Sequence, residues 1–150
     1  MTASDTAAPT IVLDTNVVLD WLVFRNTDSV ALAAAVVAGE LRWVATRAMR
    51  DELAHVLARG HLIAWTPDLA TIWAQWDRHC TELPTPTPTG PPDRLRCSDP
   101  DDQMFIDLAV AGRARWLVSR DRAVRKLAPR LREYGIVALP PDRWVMLERA

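Results

Sequence analysis

The side chains best suited to chemistry in this chain are carboxylates that follow apolar segments. Asp14 comes directly after the apolar residues 11–13, and Asp121 follows the apolar residues 116–118 by a short turn. If both segments are strands of a parallel sheet, their carboxyl ends lie at one edge, where open α/β sheets bind ligands. An unpaired buried charge is energetically expensive, so the sequence predicts that a partner or ligand neutralises these acids.

Two other places supply acids that the same edge could collect. Glu52 shares a predicted helical face with the apolar residues Met49 and Leu53, whereas the neighbouring Asp51 can point to water. The segment 99–102 holds three acids immediately before an apolar helical segment, namely Asp99, Asp101 and Asp102. Taken singly, each acid is also explained as a turn, cap or solvated helix residue, and for Asp99 we favour a helix cap.

The combination of these acids predicts a metal site. Oxygen ligands from separate elements, without His or Cys among them, favour Mg²⁺ or Mn²⁺ over zinc. Carboxylates that lie within a few ångströms of one another repel, and a divalent cation offsets that repulsion. Such ions activate a water molecule and stabilise the leaving oxygen in phosphodiester hydrolysis, which is the chemistry that this set of residues suggests.

Short apolar runs alternate with helical patterns along the chain. This order favours an α/β fold in which a mostly parallel sheet is covered by helices on both faces, a three-layer α/β/α sandwich. The predicted strands cover residues 11–13, 41–45, 116–119 and 136–139. The predicted helices cover residues 29–37, 47–57, a segment that starts at 66–68, and 101–112, with a last short helix after Pro141.

Several residues mark where these helices begin and end. Thr46 is placed to cap the helix 47–57, and Gly39 and Gly60 end the helices that precede them. Thr66, which is followed by a proline, is the predicted cap of the third helix. That helix carries an apolar stripe at helical spacing, formed by Leu69, Ile72, Trp73 and Trp76.

The composition is that of a globular protein. The chain has 150 residues, of which 49% are hydrophobic and 25% charged, and a net charge of −1, which argues against a disordered or membrane-spanning protein. The first ten residues lack the features of a secretory signal, so a cytoplasmic location is expected. We expect residues 1–150 to form a single domain, with a flexible segment at 1–9 and an exposed Pro-rich loop at 84–92. Cys80 and Cys97 lack metal-site spacing and are expected to be buried or half-buried.

These motifs resemble those of the PIN domain, the nuclease fold of many bacterial toxins. The resemblance rests on four segments in this order: Leu-Asp-Thr-Asn at 13–16, Arg-Asp-Glu-Leu at 50–53, Ser-Asp-Pro-Asp-Asp-Gln-Met-Phe-Ile at 98–106 and Leu-Val-Ser-Arg-Asp at 117–121. It extends over nearly the whole chain. The Asp-Pro-Asp-Asp form is similar to the branch that contains toxin components of toxin–antitoxin systems.

The resemblance implies roles for single residues. It implies four catalytic, metal-binding acids: Asp14, Glu52, Asp102 and Asp121. Asp101 is the reserve for the third position, which Asp102 matches better. Asn16 and Ser119 match the polar residues that orient the strand-end acids. The implied activity is Mg²⁺- or Mn²⁺-dependent cleavage of single-stranded RNA.

A basic segment beside Asp121 is the predicted RNA-binding surface. Eight of the 18 basic residues fall between positions 113 and 132, and those beside the acid are Arg120, Arg122, Arg125 and Lys126. They could hold phosphates next to the metals, and a solvated helix face is an equal alternative. The partners that we expect are the RNA substrate, a cognate antitoxin protein and a second copy of the chain in a homodimer. We expect no association with a membrane.

Three other functions fit part of the pattern. A phosphatase of the haloacid dehalogenase type also ends its first strand with Asp, but it needs a second Asp where Asn16 stands and a strand-end Lys that the chain lacks. A module that binds RNA or protein without cutting is disfavoured, because all four acids are present. An RNA-processing nuclease with a housekeeping role stays open, since the same site serves both purposes.

Overall fold

Five parallel strands form the central sheet of the protein, whose computed structural model describes residues 8–87 and 95–145. The strands lie in the order β3-β2-β1-β4-β5, and every ladder between neighbours is parallel. Their bounds are β1 Thr10–Leu13, β2 Arg42–Ala45, β3 Cys80–Glu82, β4 Trp116–Val118 and β5 Val137–Leu139. The predicted α/β class with a mostly parallel sheet is confirmed.

Strand β1 occupies the centre of the sheet because it is apolar at successive positions. Ile11 and Val12 are both fully buried, although their side chains point to opposite faces. Val12 pairs with Val44 of β2 on one side and with Leu117 of β4 on the other. Burial on both faces requires cover on both, which is the expected three-layer α/β/α arrangement.

Seven α-helices accompany these strands in the described part of the chain. Their bounds are α1 Thr15–Leu22, α2 Val30–Val37, α3 Arg47–Ala58, α4 Leu69–His79, α5 Gln103–Ala111, α6 Arg122–Arg125 and α7 Ala128–Arg132. The helices predicted at 29–37, 47–57 and 101–112 correspond to α2, α3 and α5, and α5 is preceded by a 3₁₀ turn over Pro100–Asp102. The short helix predicted after Pro141 corresponds to a 3₁₀ turn, Pro141–Arg143.

Helix caps decide where two of these helices begin. The cap predicted for α3 is confirmed, because Thr46 Oγ1 accepts a hydrogen bond from the Met49 N–H at 3.4 Å. The cap predicted for α4 is wrong. Thr66 has a left-handed φ of 43°, and Asp68 caps the helix instead, accepting from the N–H and the hydroxyl of Thr71 at 3.1 and 2.9 Å. Asp68 directly precedes the first helical residue, Leu69, whereas Thr66 lies two residues further from the helix.

Strand β3 was not predicted from the sequence. Its three residues, Cys80–Glu82, pair in parallel with β2 at the edge of the sheet. Thr81 and Glu82 are exposed, so the strand shows no alternation of apolar and polar residues. Such a strand exists because the neighbouring backbone offers it hydrogen bonds, and its own sequence does not reveal it.

A row of tryptophans fills the core beside β2. Neighbouring rings meet edge to face with centroids 5.1 to 6.0 Å apart, in the order Trp21, Trp43, Trp76 and Trp73. The predicted stripe of α4 faces this core at Ile72 and Trp76, whereas Leu69 at its start is 48% exposed. The tryptophans of α4 are therefore packing residues, as their helical spacing predicts.

The remaining segments bear less on the site. Residues 84–87 of the Pro-rich segment are exposed or half-buried, and its continuation from 88 lies outside the described residues, as do residues 1–7. Cys80 is half-buried and Cys97 is buried, and both thiols are free. In the ranges that the structure describes, we find no helix with the length and apolar character needed to cross a bilayer.

Candidate metal centre

The Asp14 carboxylate is buried at the carboxyl end of the central strand, with a relative exposure of 3%. Its backbone N–H donates to the Val118 carbonyl at 3.0 Å, so the β1–β4 ladder continues up to the acid. The next residues turn into α1, for which Asp14 is the N-cap without a side-chain capping bond. Both carboxylate oxygens are therefore available for other partners.

Ser119 connects the two strand-end acids. Its hydroxyl donates to Asp14 Oδ2 at 2.5 Å, and its oxygen accepts the backbone N–H of Asp121 at 2.9 Å. Asp121 Oδ1 in turn accepts the Ala123 N–H at 2.8 Å and caps α6. The acids that follow β1 and β4 thus meet through one fully buried hydroxyl, which orients the first and holds the backbone of the second.

Asp99, Asp102 and Asp121 form an acidic cluster at the same edge of the sheet. One carboxylate oxygen from each lies within 4.8 Å of those of the other two. Asp102 is 7% exposed, and its Oδ2 atom is buried without a hydrogen-bond partner among the described residues. Burying a carboxylate oxygen in this way costs free energy unless a cation or a hydrogen-bond donor approaches it.

Burial raises the pKa of Asp14 from 3.8 to about 6. The Ser119 hydroxyl and the Thr15 N–H lower it, and the charges of Asp121 and Glu52 raise it. The pKa of Asp14 is therefore raised because its carboxylate is removed from water and lies near other acids. A cation bound at the site would reverse that tendency by favouring the ionised form.

Asp102 and Asp121 titrate as a pair. Burial raises the pKa of Asp102 to about 8, and the hydrogen bond with Asp121 and the charge of Asp14 raise it as well. The same hydrogen bond with Asp102 holds the pKa of Asp121 below its ordinary value. In the absence of a cation, burial and the neighbouring acids therefore favour the neutral form of Asp102 and the ionised form of Asp121.

Glu52 approaches the site from α3. Met49 and Leu53 on the same helical face are buried, and Glu52 itself is half-buried. Its Oε2 atom accepts a hydrogen bond from the Thr15 hydroxyl at 3.1 Å, and Thr15 directly follows Asp14. The structure places the Glu52 side chain facing the strand-end acids, which is the direction that the helical face predicts.

A cleft of about 300 Å³ lies over these acids. Its walls are the β1–α1 junction with Asp14, the α3 helix with Glu52, and the segment before α5, which contributes Asp99, Asp101 and Asp102. Asp121 is joined to the cleft through its contact with Asp102. Three segments that are far apart in the sequence thus line one opening with their acids, and a fourth places Asp121 next to Asp102.

The 3₁₀ turn before α5 separates the roles of its three acids. Asp99 is the N-cap of the turn and Asp102 is its last residue, and each brings a carboxylate oxygen close to Asp121. Asp101 is exposed and lines the cleft without joining the cluster. Asp99 also caps the turn by accepting the Asp101 N–H at 3.0 Å, so the favoured cap interpretation is confirmed. Its second role in the cluster was missed, and the spacing of three residues was the available signal.

Arg120, a predicted RNA-binding residue, is engaged within the protein. Its Nε atom donates to Asp20, which is 7% exposed, and a terminal nitrogen lies 3.3 Å from Asp28 Oδ2. Its backbone N–H lies 3.5 Å from Asn16 Oδ1. The guanidinium thereby fastens the loop after β4 to α1 and to the 3₁₀ turn that precedes α2. Asp20 is a buried acid that the sequence analysis did not single out.

The other predicted RNA-binding residues lie on the surface. Arg122, Arg125 and Lys126 are exposed on or next to α6. They follow Asp121 along the chain, and none of them is among the residues that line the cleft. Their part in RNA binding stays a prediction.

The cluster can hold a divalent metal ion. Its donors are carboxylate oxygens, the ligands that hard cations take, and the unpartnered Asp102 oxygen gives such an ion a place among them. Asp14 and Glu52 reach the same cleft from other elements. The carboxylate centre therefore lies at the carboxyl ends of parallel strands, the edge at which open α/β folds bind their ligands.

The comparison with known families agrees with this geometry. The family model described as "PIN domain" matches residues 10–123, so the chain belongs to the PIN domain family, whose members are generally metal-dependent nucleases. The matched range contains all the acids of the site. No curated protein matches the chain significantly.

Proposed function

We propose that the protein is an endoribonuclease that requires Mg²⁺ or Mn²⁺ and cleaves phosphodiester bonds of single-stranded RNA. The observation that carries the proposal is the cluster of Asp99, Asp102 and Asp121, with its buried and unpartnered carboxylate oxygen, beside Asp14 in one cleft. Without a cation such a cluster is energetically unfavourable, because buried carboxylates repel one another. A bound cation removes that repulsion.

In this proposal the acids hold the metal and the neighbouring hydroxyls orient the acids. Asp14, Glu52, Asp102 and Asp121 are the ligands, reached directly or through water, and Asp99 is a further candidate. When bound, a divalent ion lowers the pKa of a water molecule and offsets the charge on the scissile phosphate. Ser119 keeps Asp14 pointing into the cleft, and Thr15 does the same for Glu52.

The test is a cleavage assay on labelled single-stranded RNA with Mn²⁺, with Mg²⁺ and with EDTA. Glu52→Gln and Asp102→Asn should each lower the rate by roughly a hundredfold or more, which is at least about 2.7 kcal/mol of barrier. Asp51→Asn is the matched control, because Asp51 precedes Glu52 on the same helix and pairs with Arg47 at the surface. Cleavage that persists in EDTA and in both site variants would falsify the metal mechanism.

We further propose that this nuclease is the toxin of a toxin–antitoxin pair in the cytoplasm, and that it acts as a homodimer. The support is the family together with the Asp-Pro-Asp-Asp form of the segment 99–102. Induced expression should then stop bacterial growth, an Asp14→Ala variant should not, and a small protein encoded directly upstream should restore growth. An active nuclease that leaves growth unaffected would favour the RNA-processing alternative. Light scattering of the purified protein measures the dimer.

A further inference from the structure

We infer that the end of α3 forms a phosphate-binding subsite of the cleft, in which Arg59 holds the RNA phosphate next to the scissile one and His55 supports it. The inference rests on the proposed ribonuclease function and deepens it by assigning a substrate contact. It also assigns the RNA-binding surface to the α3 wall of the cleft, whereas the sequence predicts that surface on the basic segment after Asp121.

The α3 helix presents an acid and basic groups to the same opening. Glu52, His55 and Val56 lie at positions i, i+3 and i+4, which is one face of a helix, and all three line the cleft. Arg59, the C-cap residue of α3, extends this row and lines the cleft as well. Along this wall the α3 helix therefore presents first the carboxylate of Glu52 and then, toward its end, the side chains of His55 and Arg59.

Arg59 is available for a ligand where comparable arginines are not. Its side chain is exposed and makes no hydrogen bond or ion pair with the parts of the chain that the structure describes. Arg50, on the same helix, binds Asp77 at 3.1 Å and lies 4.4 Å from the ring centre of Trp73. Arg120 is engaged by Asp20 and Asp28, as described above.

The chemistry of the subsite fits a chain of phosphates. A single-stranded nucleic acid whose scissile phosphate sits on the acidic cluster must lead its neighbouring phosphates out along a wall of the cleft. A guanidinium offers paired N–H donors that match two phosphate oxygens, and its charge is not lost at any working pH. The exposed imidazole of His55, one turn before Arg59, offers a second donor or a flat face for a base.

The inference is tested by binding, separately from cleavage. A fluorescein-labelled 12-nucleotide RNA is titrated with the full-length protein, with Ca²⁺ in place of Mg²⁺ or Mn²⁺ as the ion for the carboxylates, and the fluorescence anisotropy is followed at several salt concentrations. Arg59→Ala should weaken binding on the order of tenfold and reduce the slope of log K against log salt by about 0.7, the value for one phosphate contact on a single strand. Arg59→Glu should weaken it further.

The control variants remove the same charge elsewhere. Arg47→Ala changes an exposed arginine of the same helix that pairs with Asp51 outside the cleft, and it should bind within about twofold of the wild type. Arg125→Ala changes the basic segment that the sequence predicts to bind RNA, and it should weaken binding less than Arg59→Ala does. Equal weakening by Arg59→Ala and Arg47→Ala, or a larger effect of Arg125→Ala, would overturn the inference. So would the lack of saturable RNA binding by the wild-type protein.

These outcomes are distinct from failure of the proposed function. Suppose that Asp102→Asn abolishes metal-dependent cleavage and that Arg59→Ala leaves the KM for RNA unchanged. This result would support the proposed nuclease activity and refute the phosphate-binding subsite. RNA binding that depends on Arg59 without any metal-dependent cleavage would refute the nuclease. A lower melting temperature of Arg59→Ala with unchanged RNA affinity would show that Arg59 only offsets the charge of the acids, and would also overturn the inference.

Discussion

The burial of Asp14 makes the metal-free protein less stable at neutral pH than at mildly acidic pH. The pKa of this carboxyl rises from 3.8 to about 6 on folding, mainly because the group is removed from water. A folded-state pKa above the unfolded one gives stability that is fully present below the unfolded pKa and is lost as the pH rises through the folded pKa. The loss should therefore begin above pH 4 and be complete near pH 7.

The magnitude follows from the two pKa values. Each unit of difference in pKa corresponds to about 1.4 kcal/mol, so Asp14 should cost the folded state about 3 kcal/mol between strongly acidic and neutral pH. Over the practical range from pH 5 to pH 7.5 the loss is about 1.4 kcal/mol. For a domain of this size that is a melting temperature lower by roughly 3 to 6 °C.

Urea unfolding in EDTA at pH 5, 6 and 7.5 measures this effect when wild type and Asp14→Asn are compared. The amide keeps an oxygen that can accept the Ser119 hydroxyl, but it cannot ionise. The difference in free energy of unfolding between the two proteins should shift by about 1.4 kcal/mol in favour of the variant as the pH rises. Parallel pH curves for the two proteins would refute the reasoning, because loss of the Asp14 charge also lowers the pKa of Asp102 and so adds to the difference in the same direction.

Three further predictions concern the metal, the ion pair and a thiol. Saturating Mn²⁺ at pH 7.5 should raise the melting temperature of the wild type and leave that of Asp102→Asn nearly unchanged. A ligand at a hundred times its Kd adds about 2.7 kcal/mol to the free energy of unfolding. An equal rise in both proteins would contradict the role of Asp102 as a metal ligand. Arg120→Ala should cost roughly 2 kcal/mol in urea unfolding, because it leaves Asp20 buried and unpaired, and the exposed Arg122→Ala is the control that should cost little. Cys80 should react slowly with a disulfide reagent at pH 8, because burial raises the pKa of its thiol; a rate equal to that of free cysteine would contradict this.

The contact between Arg120 and Asp20 shows how a functional prediction can miss a structural role. The cluster of basic residues after β4 suggested phosphate binding, and Arg120 is one of its two members that adjoin Asp121. Its partner is 100 residues earlier in the chain, in an apolar helical segment where a single acid carries no recognisable signal. Sequence proximity to a site therefore says little about whether a long side chain reaches into it.

The 3₁₀ turn at Pro100–Asp102 shows the opposite case, in which local geometry distinguishes two neighbouring acids that the sequence does not. Asp101 and Asp102 are adjacent acids in one motif, and both were candidates for the third position. The turn sends Asp102 to the same side as Asp99 and leaves Asp101 exposed. Composition and periodicity do not decide this, because successive side chains of a 3₁₀ helix point about 120° apart and the direction of each depends on where the turn begins.

The sequence by itself determined the fold class and the location of the acids. Short apolar runs specify buried parallel strands because only consecutive apolar residues can be covered on both faces, and the residues that follow such strands must emerge at one edge. Asp14 and Asp121 could be assigned to that edge for this reason. The helical face that carries Glu52 follows equally from spacing alone.

Only the tertiary structure decided which side chains meet. It formed β3 on the edge of β2, joined Asp14 to Asp121 through Ser119, brought Asp99 into the cluster and placed Arg59 on the cleft wall. Each of these facts depends on distances between segments that are remote in the chain. Backbone pairing and side-chain contacts across such distances are set by packing of the whole core, whereas periodicity reports only what a segment does within its own few turns.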